Sequence, residues 1–260
     1  MHAQKLNGHF ALVTGASRGI GRAIALGFAH EGAAVAVTAR TEPDLRTLVD
    51  EIKGNGGKAL AIAADLEDSS AAARIVEQVV EVLGAIDILV NNAGIGSSSD
   101  PRPVVDFNDS FWQKTLALNL TAPYLFMKAV LPAMLGRKWG RIITVASING
   151  KIGALHGAAY SASKHGVLGL TRSLALEVAR DGVTVNAICP GPVHTEMNDR
   201  RIEYDSARLG VPFRELEARL TPIGRRLEPE EIVPMALLLA SEESGAITGQ
   251  AFNVDGGIAT

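Results

Sequence analysis

The chain has 260 residues, of which 47% are hydrophobic and 20% are charged. This composition is typical of a soluble globular protein and excludes a disordered one, and the length suits one α/β domain. A formal net charge of −3 offers no basic face for nucleic acid, and the single cysteine, Cys189, excludes an internal disulfide. Residues 1–10 lack the apolar core of a signal peptide, so we expect a cytoplasmic protein that does not bind a membrane.

Short apolar runs alternate with helical patterns along the whole chain. The apolar runs predict β-strands at 10–14, 33–38, 58–63, 86–90, 141–146, 183–188 and 250–254. The helical patterns lie at 20–30, 42–53, 69–83, 109–135, 156–180 and 228–240. Continuously apolar strands are expected where helices cover both faces of a sheet. The alternation therefore predicts an α/β fold: one domain over 1–260 with a Rossmann-like, doubly wound, seven-stranded parallel sheet in a three-layer αβα arrangement.

Two stretches depart from this alternation. Residues 116–135 are the most apolar, but Asn119, Lys128 and two prolines make them a poor membrane span and favour a helix buried on two sides. Residues 191–226 form a long irregular segment between the sixth strand and the last helix. Because irregular segments of this length in compact domains are usually functional, we expect a substrate lid at about 191–226.

A glycine-rich turn, TGASRGIG, covers residues 14–21 and joins the first strand to the first helix. Glycines allow the backbone to turn tightly and to approach a pyrophosphate, while a helix N-terminus offers free N–H groups and a positive dipole end. The spacing differs from the common G-x-G-x-x-G fingerprint. Its position between a strand and a helix nevertheless predicts a dinucleotide site.

The end of the second strand indicates which dinucleotide binds. Sites for NAD usually carry an acidic residue there for the ribose 2′-hydroxyl, whereas this chain reads TART at 38–41. Arg40, together with Arg18 of the glycine-rich turn, suits a 2′-phosphate, which a carboxylate would repel. The alternative is that both arginines are solvated surface residues. We favour NADP(H).

Tyr160 and Lys164 lie four residues apart in the predicted 156–180 helix and therefore share one face. A buried ammonium beside a phenol lowers the tyrosine pKa, which makes Tyr160 a usable general acid/base near neutral pH. Ser147 follows the fifth strand at its carboxyl end, where ligands bind in open parallel sheets, so its hydroxyl can bond a substrate oxygen. The alternative for the tyrosine–lysine pair is an ordinary amphipathic helix face.

Together these residues resemble the short-chain dehydrogenase/reductase family, over about Leu6 to Ile258. The resemblance rests on the glycine-rich turn, Asp65 after the third strand, NNAG at 91–94, Asn119, Ser147, YSASK at 160–164, Pro190-Gly191 with Thr195, and VDGG at 254–257.

The resemblance implies a metal-free enzyme. Ser147 would orient the carbonyl or alcohol, Tyr160 would exchange a proton with its oxygen, and Lys164 would hold the nicotinamide ribose. Asn119 would anchor a water molecule that relays protons. The cofactor site would comprise Gly15, Ser17, Arg18, Gly19, Ile20, Gly21, Arg40, Asp65, Leu66, Asn92, Ala93, Gly94, Tyr160, Lys164, Ile188, Pro190, Gly191, Val193 and Thr195. Among these, Asp65 would bond the adenine amino group, and Pro190, Gly191 and Thr195 would close over the nicotinamide.

The residues of the predicted lid indicate the class of substrate. Its apolar residues are Val193, Met197, Val211, Phe213 and Leu216, and its cationic residues are Arg200, Arg201, Arg208 and Arg214. An apolar pocket with a cationic rim suits an acyl thioester or a hydrophobic ketone. The 156–177 segment and the long lid resemble β-ketoacyl-thioester reductases, including aromatic polyketide ketoreductases, and also hydroxyacyl-CoA and 3-hydroxybutyrate dehydrogenases.

We therefore expect an NADPH-dependent ketone reductase whose substrate is a 3-oxoacyl thioester. The alternatives are an NAD(P)-dependent secondary-alcohol, sugar or hydroxy-acid dehydrogenase and, outside enzymes, an NADP(H)-sensing binding protein. Small residues on several faces of the 109–135 and 156–180 helices allow close helix approach, and the resemblance implies a homotetramer built partly from them.

Overall fold

The computed structural model describes residues 4–259, which form one seven-stranded sheet between two layers of helices. The strands are β1 Phe10–Thr14, β2 Ala34–Ala39, β3 Lys58–Ala63, β4 Ile88–Asn91, β5 Gly140–Val145, β6 Val183–Pro190 and β7 Ala251–Val254. They follow the order β3-β2-β1-β4-β5-β6-β7, and every neighbouring pair is parallel. The predicted Rossmann-like, doubly wound sheet is confirmed.

Helices cover both faces of this sheet. They are α1 Gly19–His30, α2 Glu42–Gly54, α3 Ala71–Leu83, α4 Asp109–Leu116, α5 Ala122–Arg137, α6 Ala158–Val178, α7 Glu196–Leu209, α8 Phe213–Ala218 and α9 Val233–Ala240. One apolar core lies between the sheet and α1, α2 and α9, and contains the buried side chains of Phe28 and Leu48. The second lies between the sheet and α3, α5 and α6, and contains those of Ile75 and Phe126.

The long helix predicted over 109–135 is interrupted by a π-helical turn. Ala117–Thr121 form this turn between α4 and α5. A π-turn inserts one extra residue into a helix and is frequent at functional sites. Here it contains Asn119, which is only 1% exposed.

The Asp109–Arg137 region is long and apolar enough to cross a membrane by length and composition alone. In the fold, 44% of its most apolar stretch is buried, and core helices of globular proteins have the same length and composition.

The 191–226 segment contains two helices where the sequence predicts irregular structure. The Thr195 side chain accepts a hydrogen bond from the Asn198 amide and so begins α7, and Gly210, with φ of +66°, ends it. The short helix α8 follows Pro212. A parallel bridge between Val193 and Leu227 holds the two ends of the segment together. The predicted lid is therefore a helical segment whose two ends lie side by side.

Candidate active site

A cleft of about 820 Å³ opens at the carboxyl ends of the central strands, where the strand order reverses between β1 and β4. Most of the predicted site residues line it: Gly15, Ser17, Arg18, Gly19, Ile20, Arg40, Asp65, Leu66, Asn92, Ala93, Gly94, Ser147, Tyr160, Lys164, Pro190, Gly191, Val193 and Thr195. Three others, Gly21, Asn119 and Ile188, lie beneath the wall rather than in it. The sequence thus identified one contiguous surface from segments far apart in the chain.

The glycine-rich turn packs closely against the segment after β4, which is possible because its glycines lack side chains. Gly15 has a φ of +64°, and a Cβ there would lie 2.7 Å from the Ala93 Cα. A Cβ on Gly21 would lie 2.3 Å from the Asn92 side-chain nitrogen. The turn leads into α1, whose N-cap residue Arg18 makes no side-chain capping bond. The N–H groups at this helix end are therefore available to an anionic group, as a pyrophosphate requires.

Thr14 and Asn92 fasten this turn to the end of β4. The Thr14 hydroxyl accepts hydrogen bonds from the amides of Asn92 and Ala93, at 3.0 and 3.1 Å. The Asn92 side-chain amide donates to the carbonyls of Thr14 and Gly15, both at 3.0 Å. Thr14 was not among the predicted site residues, although it begins the glycine-rich motif. Its role is visible only when β1 and β4 are placed side by side.

The two arginines proposed for the 2′-phosphate both reach the cleft. Arg40 follows β2 and is exposed, and no ion pair to it occurs within residues 4–259. Arg18 is also exposed but forms an ion pair with Glu196 at the start of α7. Asp65 lies on the same side of the cleft, and its carboxylate accepts a bond from the Glu67 amide at 3.0 Å. A cationic side chain therefore stands where sites for NAD usually carry an acid.

Ser147 and Tyr160 share the inner end of the cleft. Ser147 follows β5, and its hydroxyl accepts a hydrogen bond from the Asn149 amide at 3.1 Å. Tyr160 lies in the first turn of α6. Burial raises the pKa of the Tyr160 phenol above its ordinary value, and a hydrogen bond with Ser147 partly opposes that rise. In the ligand-free protein the phenol is therefore protonated at neutral pH, as a proton donor must be.

Lys164 is buried one helical turn after Tyr160. Its ammonium donates to the Val145 carbonyl at 2.9 Å and lies 5.7 Å from the centre of the Tyr160 ring. Burial lowers the pKa of Lys164 to about 8. The expectation that this ammonium lowers the tyrosine pKa does not describe the ligand-free protein, because the amine is bonded to a carbonyl instead of the phenol.

Asn119 lies below the cleft and holds part of its wall in place. Its side-chain oxygen accepts from the Ile95 amide and its nitrogen donates to the Ile95 carbonyl, both at 2.9 Å. The same nitrogen donates to the Ser163 hydroxyl at 3.1 Å. These contacts link the π-turn to the loop after β4 and to α6. They also leave the assigned role of Asn119, anchoring a water, as a prediction.

The lid forms the outer wall, and three arginines of α7 are ion-paired. Met197 and Arg201 face the cleft from α7. Arg201 bonds both carboxylate oxygens of Asp205, at 2.7 and 3.2 Å, and Arg208 bonds the same carboxylate. Arg200 is paired with Glu196. The arginines of α7 at the expected cationic rim are therefore ion-paired with carboxylates of the same helix, whose spacing places them beside these arginines. Each of these carboxylates pairs with two arginines, since Glu196 also pairs with Arg18, and the cationic rim stays a prediction.

Comparison with known proteins supports the family resemblance over most of the chain. The family model for short-chain dehydrogenases matches residues 9–205. A protein named for ketoacyl reduction in the granaticin polyketide synthase of Streptomyces violaceoruber is 43% identical over 253 residues, covering 95% of this chain and 92% of the relative. A D-β-hydroxybutyrate dehydrogenase of Rhizobium meliloti is 36% identical over 253 residues, covering 95% and 97%.

A solved structure gives the same match in three dimensions. It is a variant of actinorhodin polyketide ketoreductase with NADPH, 42% identical, with a TM-score of 0.90 over 95% of this chain and 96% of the other. The family resemblance noted in the sequence is thereby confirmed. The chain is an oxidoreductase that belongs to the short-chain dehydrogenase family.

Proposed function

We propose that the protein is an NADPH-dependent reductase of 3-oxoacyl thioesters. The observation that carries the proposal is the juxtaposition of Ser147, Tyr160 and Lys164 at the inner end of a cleft whose other end carries Arg40. The ketoreductase structure that this chain resembles holds NADPH. The proposal takes the enzyme to be soluble and cytoplasmic.

The residues present fit a dinucleotide. The glycine-rich turn and the uncapped end of α1 would receive the pyrophosphate, Arg40 and Arg18 the 2′-phosphate, and Asp65 the adenine. Lys164, with its exchangeable bond to a carbonyl, would hold the nicotinamide ribose. When bound, the reduced nicotinamide supplies the hydride that adds to the carbonyl carbon.

The chain's own residues supply the rest of the chemistry. The Ser147 hydroxyl donates a hydrogen bond to the substrate carbonyl oxygen and fixes its position. The Tyr160 phenol transfers its proton to that oxygen as the alcohol forms, and solvent then restores the phenol proton. Burial raises the pKa of the phenol, so Tyr160 carries the proton that reduction needs.

The ion pairs of the lid disfavour a free acid as the substrate. A dehydrogenase of hydroxy acids or sugar acids needs a cation for the substrate carboxylate. Arg200 and Arg201, the arginines of α7 that line the cleft, already bind Glu196 and Asp205. Oxidation of a hydroxy acid is the second candidate function, because one similar protein is named as a hydroxybutyrate dehydrogenase. A binding protein without turnover is disfavoured by the complete serine–tyrosine–lysine set.

The test is NADPH oxidation at 340 nm with acetoacetyl-CoA, compared with free acetoacetate and with NADH. We expect kcat/KM for the thioester to exceed that for the acid by at least about 100-fold, since the acid leaves its carboxylate without a partner. A preference for acetoacetate, or NAD reduction by 3-hydroxybutyrate alone, would establish the hydroxy-acid function instead.

A further inference from the structure

The lid helices have almost no apolar core of their own. Within the described residues, α7 buries only Ile202 and α8 buries none. Apolar burial is the main force that holds most surface helices to a domain. These two helices form a wall of the cleft, so another interaction must keep them in place.

Arg226 supplies such an interaction from the base of the lid. Its side chain is 7% exposed. Its Nε donates to Glu217 of α8 at 2.7 Å, and its Nη1 donates to Asp199 of α7 at 2.6 Å. The same Nη1 lies 3.4 Å from the side-chain oxygen of Asn198, which lines the cleft. The guanidinium also stands 5.6 Å from the ring centre of Phe213. One buried cation thus contacts both lid helices.

The contacts extend to the bridge at which the lid leaves the fold. Glu217 accepts a second bond from the His194 ring at 3.2 Å, and the other ring nitrogen of His194 contacts Glu228. The His194 backbone amide donates to the Leu227 carbonyl at 2.8 Å. The hydrogen bond from Arg226 is the largest cause of a lowered pKa at Glu217, so this carboxylate stays ionised. The cluster therefore connects α7, α8 and both ends of the lid.

We propose that Arg226 is a positioning residue for substrate binding: its buried guanidinium fixes α7 and α8 and so sets the shape of the ketone pocket. The inference rests on the proposed function, because it takes the α7 wall to contact the substrate. Removing the cation leaves the carboxylates of Asp199 and Glu217 without the counter-charge that they share. The helices then separate, while the Ser147–Tyr160–Lys164 set, on β5 and α6, stays in place.

The chain contains a matched control next to this residue. Arg225 forms two hydrogen bonds with Glu231, at 2.7 and 2.8 Å, but its side chain is 54% exposed and its partner lies outside the lid. Arg226→Met keeps the aliphatic stem and removes the charge, and Arg225→Met makes the same change at the neighbouring position. Arg226→Lys keeps the charge but, as a point charge on one nitrogen, does not span both carboxylates as well.

The first measurement is steady-state kinetics with acetoacetyl-CoA and NADPH. We expect Arg226→Met to raise KM for the thioester at least about tenfold and to change kcat less than about threefold, because pocket shape rather than chemistry is affected. Arg226→Lys should recover part of the loss, and Arg225→Met should resemble the wild type. An equal rise in KM for both methionine variants, or a fall in kcat alone, would overturn the inference.

The second measurement, hydrogen exchange followed by mass spectrometry, needs no substrate. Peptides from 196–218 should exchange at least about tenfold faster in Arg226→Met and at the wild-type rate in Arg225→Met, while the 158–178 helix stays protected. Asp199→Asn, at a partly exposed partner, tests the same contact if the arginine variant unfolds. Unchanged lid exchange in Arg226→Met or in Asp199→Asn refutes the inference. Failure of the proposed function would instead appear as absent thioester turnover in the wild type.

Discussion

In the ligand-free protein, burial of Tyr160 raises the pKa of the phenol, whereas its neighbour Lys164 predicts a lowered one. The four-residue spacing to Lys164 places both side chains on one helix face, as expected. The amine nevertheless donates to the Val145 carbonyl, and burial raises the phenol pKa. Spacing fixes which side chains meet, but the direction of a pKa shift depends on competing hydrogen-bond partners and on burial. These belong to the folded chain as a whole.

Replacing the phenol tests its role directly. Tyr160→Phe should lower kcat for thioester reduction by at least about 1000-fold, because the proton donor is removed. NADPH affinity, measured by fluorescence titration, should change less than about threefold, since the glycine-rich turn and Arg40, the proposed cofactor contacts, lie elsewhere in the cleft. Turnover within tenfold of the wild type would contradict the assignment of Tyr160 as the acid.

Cofactor choice is expected to depend on Arg40. Arg40→Asp replaces a cation near the end of β2 with the acidic type found in NAD sites. The ratio of kcat/KM for NADPH to that for NADH should fall at least about 30-fold, since a charge-assisted bond becomes a repulsion. The control is Arg46→Asp in α2, an exposed arginine paired with Glu42 away from the cleft. An unchanged ratio in Arg40→Asp would remove the charge argument for NADP(H).

At the scale of elements, the sequence predicts what depends on hydrophobic pattern and misses what depends on side-chain contacts. All seven strands and six helical regions occur close to their expected bounds, because apolar runs and amphipathic faces are set locally. The helices α7 and α8 were missed because they lack an apolar stripe. Their signals were a threonine cap at Thr195, a glycine stop at Gly210 and charged pairs at four-residue spacing.

The π-turn was also beyond reach of the sequence pattern. Residues 117–121 read as continuous helix, and the extra residue becomes visible only with the bonds that Asn119 makes to Ile95.

The candidate site was predictable for a different reason. Parallel strands bring their carboxyl ends to one edge, so motifs at strand ends meet wherever the sheet forms. Thr14 was not predicted, because its partners come from the segment after β4. Asp205 was not predicted, because its pairing with Arg201 and Arg208 depends on the helix α7, which the sequence pattern missed.

The packing of the glycine-rich turn against β4 gives a stability prediction. Gly21→Ala would place a Cβ 2.3 Å from the Asn92 amide nitrogen and 2.5 Å from the Gly15 carbonyl oxygen. The free energy of unfolding should fall by at least about 2 kcal/mol, because the turn must shift, and NADPH affinity should fall with it. Gly54→Ala, in α2 with no atom within 4 Å, is the control in thermal unfolding. Equal stability of both variants would contradict this packing.

For the whole molecule, the buried amine of Lys164 couples folding to pH. The folded chain loses this proton near pH 8 and the unfolded chain near its ordinary value of 10.5. Between these values the unfolded chain binds more protons, so the free energy of unfolding rises with pH, and the full cost of burying the ammonium is present below pH 8. The pKa of Tyr160 is raised in the folded chain, so its titration lowers the free energy of unfolding as the pH rises, but only above about pH 10.

Urea denaturation of the cofactor-free protein measures this coupling. From pH 7.5 to 9.5 the wild type should gain about 2 kcal/mol relative to Lys164→Met, which carries no titrating group at that position. A difference between the two proteins that stays constant over this range would show that the amine is not desolvated. The homotetramer remains a prediction, which the mass in solution will decide.

The bridge between Val193 and Leu227 has a consequence for how such an enzyme changes its substrate range. Because the two ends of the lid are already joined, the entropy of closing that loop depends only weakly on what lies between them. A segment of another length or sequence can be grafted there while the sheet and the glycine-rich turn keep their register. Natural or laboratory selection can therefore diversify the substrates independently of the redox chemistry.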